Sequence, residues 1–403
     1  MRDKADRVIR ARNRVLIIVE NLPCPFDRRV WQEANALKDA GYMVSIICPK
    51  GWGYDASYEC LNGIHIYRHP LPFEADSALG YALEYSNALF WELFLAMRIS
   101  FTRGVDVIHA CNPPDTIFLI GALFKLAGKR FIFDHHDLNP ELYEAKFGRR
   151  DIWYRLLGLL ERWTFRTADV SIATNQSFRQ IAVERGVMDP DKVFVVRSGP
   201  DLSKINLSLP RPELRKGRKF LVGYVGVIGK QEGMDLLLHS IEHMRTAMGR
   251  TDCQFVIVGD GTELPSLQRL AAELDIQDLI DFVGRKTGSE LWEILSTADV
   301  CVSPDRVNAM NDKSTMNKVI EYMALGKPVV QFDLTEGRHS AGEASVYAAA
   351  NDYRDFALKL CQLLDDPGRR SVMGEIGRAR VEGELAWHHQ VPVLLAAYRK
   401  AFE

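Results

Sequence analysis

The sequence predicts an α/β fold made of two doubly wound, Rossmann-like domains. Three observations carry that expectation. Short β-branched runs alternate with longer stretches of helical spacing. The runs are apolar nearly throughout, as parallel strands covered on both faces are. The series occurs twice, and the two halves are separated by a stretch with no periodicity.

Val15–Val19 (VLIIV) reads as the first strand. Arg29–Ala40 has helical spacing and stops at Gly41, and Val44–Cys48 is the next strand. Val105–His109, Arg130–Phe133, Val170–Ala173 and Val193–Val196 continue the series. From Pro200 to Lys219 the chain carries three prolines, one glycine and a basic cluster, the composition of an interdomain linker. The second series is Phe220–Val225, Gln254–Val258, Leu279–Val283, Val300–Val302 and Val329–Phe332, with a further short piece at Ser345–Ala348. A last helical pattern runs from Trp387 to Phe402. The expected division is 1–200, a linker at 201–219, 220–385, and a helix at 386–403 that packs back on the N-terminal domain. Open α/β sheets bind ligands beyond the carboxyl ends of their strands. Two such domains facing a central cleft would give one substrate to each.

The composition narrows the function classes. The chain has 403 residues, 47% hydrophobic and 26% charged, so it belongs with globular proteins rather than disordered ones. Lys+Arg at 51 against Asp+Glu at 53 leaves a net charge of -2, which speaks against a nucleic-acid binder. The 7 cysteines are odd in number and none is spaced C-x-x-C, as expected in a reducing compartment without a structural zinc site. The charged N-terminus has no apolar segment of a signal peptide. Leu79 to Phe101, the most apolar stretch, is interrupted by Glu84, Glu92 and Arg98 and does not read as a membrane span. The expected location is the cytoplasm, with peripheral attachment to the inner face of the plasma membrane left open.

Three strand ends in the second half carry glycine. Gly223-Tyr-Val-Gly226-Val-Ile-Gly229-Lys230 follows a strand and opens a helix at Met234. Backbone N–H groups and the positive end of a helix can hold an anion there, with Lys230 adding a full charge. The same pattern also suits a plain strand-to-helix turn. Gly259-Asp260-Gly261 and Gly284-Arg285-Lys286 end the next two strands. Together the three loops suggest a nucleoside diphosphate pocket. In the stretch Asn311 to Val330, Asp312 or Ser314 is expected to cap a helix that Gly326 ends. Met316, Val319, Ile320, Met323 and Ala324 give the packed face. Lys318 and Glu321 share another face, where they suit either a cleft or a surface ion pair.

These motifs together resemble the GT4 glycosyltransferases, retaining enzymes of the GT-B fold. The helix ending EYMALGKPVV is similar to the second half of that family's E-x7-E motif, and Glu321 matches its second Glu. The Gly226 loop and Gly259-Asp260-Gly261 match its phosphate loop and G-D-G. Asp106-Val-Ile-His109-Ala and His136-Asp137-Leu resemble its D-V-I-H-x-H and H-D-L segments. The resemblance implies a transferase moving a sugar from a nucleotide-sugar, expected to be a UDP-sugar, to a glycan or lipid-linked acceptor in cell-surface polysaccharide or glycoconjugate synthesis. It implies no metal or other cofactor. Donor-binding residues on this resemblance are Gly226, Gly229, Lys230, Gly259, Gly261, Arg285, Ser314, Thr315, Lys318 and Glu321. His136, Lys230 and Asp312 are the expected catalytic residues. The chain departs from the family pattern in places. Lys313 stands where the first Glu is usual, with Asp312 beside it. Val227 and Glu232 replace the usual basic pair of the phosphate loop, and Cys111 replaces a second His. These departures keep open a non-catalytic partner subunit, and the fold also keeps open a nucleotide-sugar epimerase.

In the first half, Arg28 and Arg29 open a helix and could hold an acceptor phosphate. Glu141 is a second acceptor-side candidate. Asp134-His135-His136-Asp137 does not read as a metal site, because adjacent strand residues point to opposite faces. Finally, Arg149–Arg166 is basic, aromatic and amphipathic. It suits either a core helix with a solvated basic side or a helix lying on an anionic membrane.

Overall fold

A computed structural model describes residues 14–70, 78–205 and 209–403. It divides into two compact units. The first contains the described residues up to Ser198 together with Gln390–Glu403, and the second is Gly199–His389.

The first unit runs β1 (Arg14–Ile18), α1 (Arg28–Asp39), β2 (Met43–Pro49), β3 (Tyr58–Leu61), β4 (Ile64–His69) and α2 (Ala78–Thr102). It continues β5 (Val107–Cys111), α3 (Phe118–Leu126), β6 (Arg130–His135), α4 (Asn139–Phe147), α5 (Ile152–Thr167), β7 (Val170–Ala173), α6 (Gln176–Glu184) and β8 (Val193–Val195). Its sheet has the order β3-β4-β2-β1-β5-β6-β7-β8. All neighbours are parallel except β3 and β4. That hairpin escaped the strand series, although its signal is local. Asn62 and Gly63 both have positive φ (52° and 80°), the conformation an Asn-Gly turn adopts to join two strands.

The inner strands are buried on both faces, so apolar residues fill them without alternation. Leu16 and Ile18 of β1, Ile108 of β5 and Phe131 and Phe133 of β6 share one core with Leu95 and Ile99 of α2, Phe124 of α3 and Phe165 of α5. Three helices therefore cover the same face of the sheet. The inward side of α5 is Glu161, Thr164 and Phe165. Trp153, Leu156, Leu159 and Trp163 are exposed instead.

The second unit runs β9 (Phe220–Val225), α7 (Met234–Thr246), β10 (Cys253–Val258), α8 (Leu264–Glu273), β11 (Ile280–Gly284), α9 (Gly288–Thr297) and β12 (Val300–Ser303). It ends with α10 (Asn317–Ala324), β13 (Val329–Phe332), α11 (Thr335–Ala341), β14 (Ser345–Ala348), α12 (Tyr353–Asp365) and α13 (Pro367–Arg380). The sheet order is β11-β10-β9-β12-β13-β14, parallel throughout.

The stretch 201–219, expected as a linker, packs as part of the second unit in its described residues. Its basic residues explain this. Arg215 meets Asp299 at 2.6 Å, Lys216 pairs with Asp281, and Arg211 N donates to Thr297 Oγ1 at 2.8 Å. The last helix, α14 (Trp387–Phe402), starts in the second unit and finishes in the first. There Tyr398 is fully buried and its hydroxyl lies 2.7 Å from His109 Nδ1.

Candidate functional site

In the second unit the loops after β9, β10 and β11 are knitted together by backbone hydrogen bonds. Gly226 N donates to Val258 O (3.1 Å), Ile228 N to Asp260 O (3.0 Å) and Gly259 N to Gly284 O (3.0 Å). Gly259 has φ +148°, and a Cβ there would lie 1.9 Å from Gly226 O. Gly261 is similarly close to Ile228 O. These glycines are thus needed first for the loops to touch each other.

The cavity opens at the start of α7. Gly233, at φ +63°, turns the chain into the helix, and no side chain caps it. First-turn N–H groups and the helix dipole therefore favour an anion at this end. A cleft of about 370 Å³ lies here, lined in part by Gly229, Lys230, Met234, Asp235, Glu263 and Arg306. That is the low end of the range of ligand pockets, roughly 300–1,000 Å³. Lys230 is exposed, and Arg306 pairs with Asp235 of the first helical turn.

The loop after β12 holds the phosphate-type loop in place. Asn311, buried, donates through Nδ2 to Gln231 O and to Arg306 O, both at 2.9 Å. Arg306 N also donates to Gln231 O at 3.1 Å. Lys318, near the start of α10, puts Nζ 2.7 Å from Asp305 Oδ1 and 4.9 Å from the centre of the Tyr224 ring. Burial works against the charged amine, but Asp305, Tyr224 and Glu232 together outweigh it and raise the pKa, so Lys318 keeps its charge. Glu232 lies in the field of the same pair. Burial chiefly raises its pKa, with Lys318 opposing. Glu321 is 8% exposed on α10. The next residue, Tyr322, fixes that helix by accepting Val225 N at 2.8 Å.

Two expectations at this helix are corrected. Neither Asp312 nor Ser314 caps α10, which starts at Asn317 without a side-chain cap. Asp312 instead accepts Thr335 N (2.8 Å) and Thr335 Oγ1 (3.0 Å), so both its oxygens anchor the start of α11. That commitment speaks against the catalytic role expected of it. Ser314 Oγ donates to Met310 O at 2.8 Å. Thr315 is half-buried beside it, and Arg285 is exposed just beyond β11.

In the first unit the candidate residues meet a buried ion network. Asp134, at the end of β6, receives Arg29 Nη2 (2.8 Å), Arg29 Nε (3.1 Å) and His136 Nε2 (2.6 Å). Arg29 also meets Glu33 at 3.2 Å and donates to Val196 O at 2.8 Å. It is 8% exposed and its fork is spent inside the unit, which speaks against the acceptor-phosphate role expected of it. The same kind of commitment speaks against the acceptor-side role expected of Glu141. It is buried and takes both terminal nitrogens of Arg185, at 2.8 and 3.2 Å. Arg28, by contrast, is exposed in the first turn of α1.

His136 is mostly buried, with its backbone N held by Asn112 Oδ1 at 2.7 Å. Burial alone would lower its pKa, but Asp134 beside it raises the pKa, favouring the imidazolium. An imidazolium Nε2–H donates to Asp134, so the 3.1 Å approach of Arg29 Nε to that nitrogen is a contact rather than a second hydrogen bond. Arg29 holds the Asp134 pKa well below the ordinary value, against the effect of burial. His109, Cys111 and Asp134 bring ligand-type atoms within 4.8 Å of one another. The cationic Arg29 already occupies the Asp134 carboxylate.

Sequence reasoning missed Asp134, Asn311, Asp305 and Arg306 as site builders. Asp305 and Arg306 stand directly after a strand, the same signal that marked the glycine loops. Asn311 carried no such signal, because its partners lie in another loop.

Comparison with known proteins agrees with this layout. Residues 27–204 match a family model described as Glycosyltransferase Family 4, and residues 219–366 match one described as Glycosyl transferases group 1. The D-inositol 3-phosphate glycosyltransferase of Stackebrandtia nassauensis is 27% identical over 338 residues, covering 75% of this chain and 73% of that protein. The 2-deoxystreptamine glucosyltransferase of Streptomyces kanamyceticus is 24% identical over 292 residues, covering 68% and 72%. Among solved structures, sucrose-phosphate synthase from Thermosynechococcus elongatus is similar with a TM-score of 0.78 at 19% identity, over 97% of this chain and 99% of that one.

Proposed function

The chain belongs to the group 1, family 4 glycosyltransferases, retaining enzymes of the GT-B fold that use nucleotide-sugar donors, and from that premise we propose that it transfers sugar from a UDP-sugar to a glycan or lipid-linked acceptor. The product would be a cell-surface polysaccharide or glycoconjugate, made on the cytoplasmic side of the membrane. The observation that carries the donor side of this reading is the cleft at the uncapped start of α7, with Lys230 and Arg306 at its edge.

In this reading the diphosphate takes the α7 N–H groups, with Lys230 and Lys318 stabilising the charge that grows on it as the bond breaks. Glu321 takes the ribose hydroxyls and Arg285 frames the base. Retention follows from front-face attack. The acceptor oxygen bonds to the anomeric carbon as the bond from that carbon to the diphosphate breaks, and the acceptor proton passes to the departing phosphate oxygen. His136 is assigned to the sugar, where Asp134 keeps its ring charged and fixed. Arg28 remains as the acceptor-side cation. The reaction so written needs no metal, and full activity in EDTA is the expected outcome.

Glu321→Ala tests the site. Losing a carboxylate that accepts from two hydroxyls should weaken UDP binding by about 10–100-fold, read by calorimetry. Unchanged binding of both UDP and GDP would remove Glu321 from the site. One observation favours a second reading. Glu232 places an acid beside Lys318, where a diphosphate must also bind. A non-catalytic partner subunit would fit that, and would show no donor hydrolysis in a long incubation with UDP-, GDP-, dTDP- and ADP-sugars. An epimerase would convert donor with no acceptor present.

A further inference from the structure

Helices α2, α3 and α5 each carry an apolar stripe on the side facing away from the core. On α2, Leu95, Ala96 and Ile99 point inward, while Phe90, Phe94, Met97 and Phe101 are exposed, Phe101 to 83%. Their spacing of four, three and four makes one stripe, about half a turn from the buried face. On α3, Ile120 and Phe124 are buried, and Leu119, Leu123 and Leu126 are exposed, Leu126 to 88%. On α5, Phe165 is buried, and Ile152, Leu156, Leu159 and Trp163 form the exposed stripe, Ile152 at 75%. The three helices cover one face of the sheet. Phe118 of α3 meets Trp163 of α5 with ring centres 5.7 Å apart, so these two stripes are neighbours. An amphipathic helix of a water-facing surface has the opposite pattern, with its polar side outward. Apolar surface on this scale marks an interaction site.

Charge identifies what it meets. The acidic residues of the three helices are Glu84, Glu92 and Glu161, and all three are buried. Arg98 of α2 and Arg155, Arg162 and Arg166 of α5 are exposed. The α5 arginines line up roughly 60° round the helix from the Leu and Trp stripe, at 100° per residue. Long cationic side chains placed there can reach head groups while the apolar stripe lies below them. A second copy of the chain would set like charges against one another at this face. No helix among the described residues is long and apolar enough to cross a membrane, so contact would be along its surface.

We propose that α2, α3 and α5 form a three-helix platform that seats the first unit on an anionic lipid surface. The platform widens the contact from the single helix visible in the sequence to one face of the unit. It stands independently of the donor reading, and it names the surface on which a lipid-linked acceptor would be met.

The experiment is sedimentation of the full-length chain with vesicles of phosphatidylcholine, with and without phosphatidylglycerol. Binding to the anionic vesicles, weakening as salt rises, is the expected result. The triple variant Arg155→Gln, Arg162→Gln, Arg166→Gln should bind about 100-fold more weakly. Leu156→Ser with Phe101→Ser, which change exposed side chains only, should lose most of the binding with an unchanged circular dichroism spectrum. The wild-type chain failing to sediment with anionic vesicles would overturn the platform. So would variants that bind as tightly as the parent, or light scattering that shows a dimer dissociated by the Leu156 and Phe101 changes. UDP binding is measured on the same samples. Its loss would count against the donor site alone, and its retention without vesicle binding against the platform alone.

Discussion

Between α1 and the end of β6 the first unit packs charged side chains against each other, whereas at the ends of β9, β10 and β11 the second unit packs backbone against backbone. Arg29, Glu33, Asp134 and His136 come from α1 and the end of β6 and pair their charges in the interior. The loops of the second unit meet through Gly226, Gly259 and Gly284, and they leave the start of α7 uncapped. The difference has a chemical logic. A site made of fixed backbone dipoles can receive a dianionic leaving group without moving a proton. A site made of paired ionisable groups can hold one histidine in a chosen charge state. In the proposed reaction the first would serve the donor and the second the sugar and acceptor.

Breaking either arrangement should cost most where charge is buried. Asp134→Ala leaves Arg29 inside the first unit without its carboxylate, and denaturation should show a loss of about 3–5 kcal/mol. Gly259→Ala forces a Cβ into Gly226 O. It should cost about 1–3 kcal/mol of stability and abolish measurable UDP binding while leaving the first-unit network intact. Asn311→Ala removes hydrogen bonds to Gln231 O and to Arg306 O, and should weaken UDP binding by about 2 kcal/mol and lower Tm by about 2–4 °C. Asp312→Ala should remove a helix anchor worth about 1 kcal/mol, seen as a lower Tm with kcat unchanged. A large fall in kcat with normal Tm would return Asp312 to the chemistry.

pH acts on the first unit through its buried groups. In the first unit burial lifts Glu20 to about 7, with Glu84 adding to it, and burial lifts Glu92 to about 8, with Glu20 adding to it. A carboxyl raised above its unfolded value favours the fold in its protonated form. That stability is complete below about pH 4.5 and is lost as pH rises through about 7 to 8. His136, also raised, adds stability that is present below about 6.5 and lost as pH rises through its folded value. Asp134 runs the other way, contributing above about pH 4 and losing its contribution as pH falls. Urea titrations of Glu92→Gln across pH 5 to 8.5 should be flatter than those of the parent. An identical slope would mean that Glu92 is ionised throughout.

Much of the second unit was legible because its signals are local. Phe220–Val225 and Val329–Phe332 coincide with observed strands, and each glycine loop follows its strand directly. The first unit was harder to read. Arg29 looked like a ligand because Asp134, its partner, lies 105 residues away. The pairing of Glu141 was hidden for the same reason, since Arg185 is 44 residues on. The Leu and Trp stripe of α5 was visible as an amphipathic pattern. Its direction was not, because periodicity tells which residues share a side but not which side meets the sheet. The Asn62-Gly63 turn was legible and was passed over.

The closing helix has a consequence for how the molecule is made. Tyr398 and its neighbours complete the interior around His109, yet they are synthesised only after the whole of the second unit. The second unit, a continuous stretch, can finish folding while the first still waits for its final piece. A chain stopped at Leu394 would hold every proposed site residue and still lack the tyrosine that covers His109.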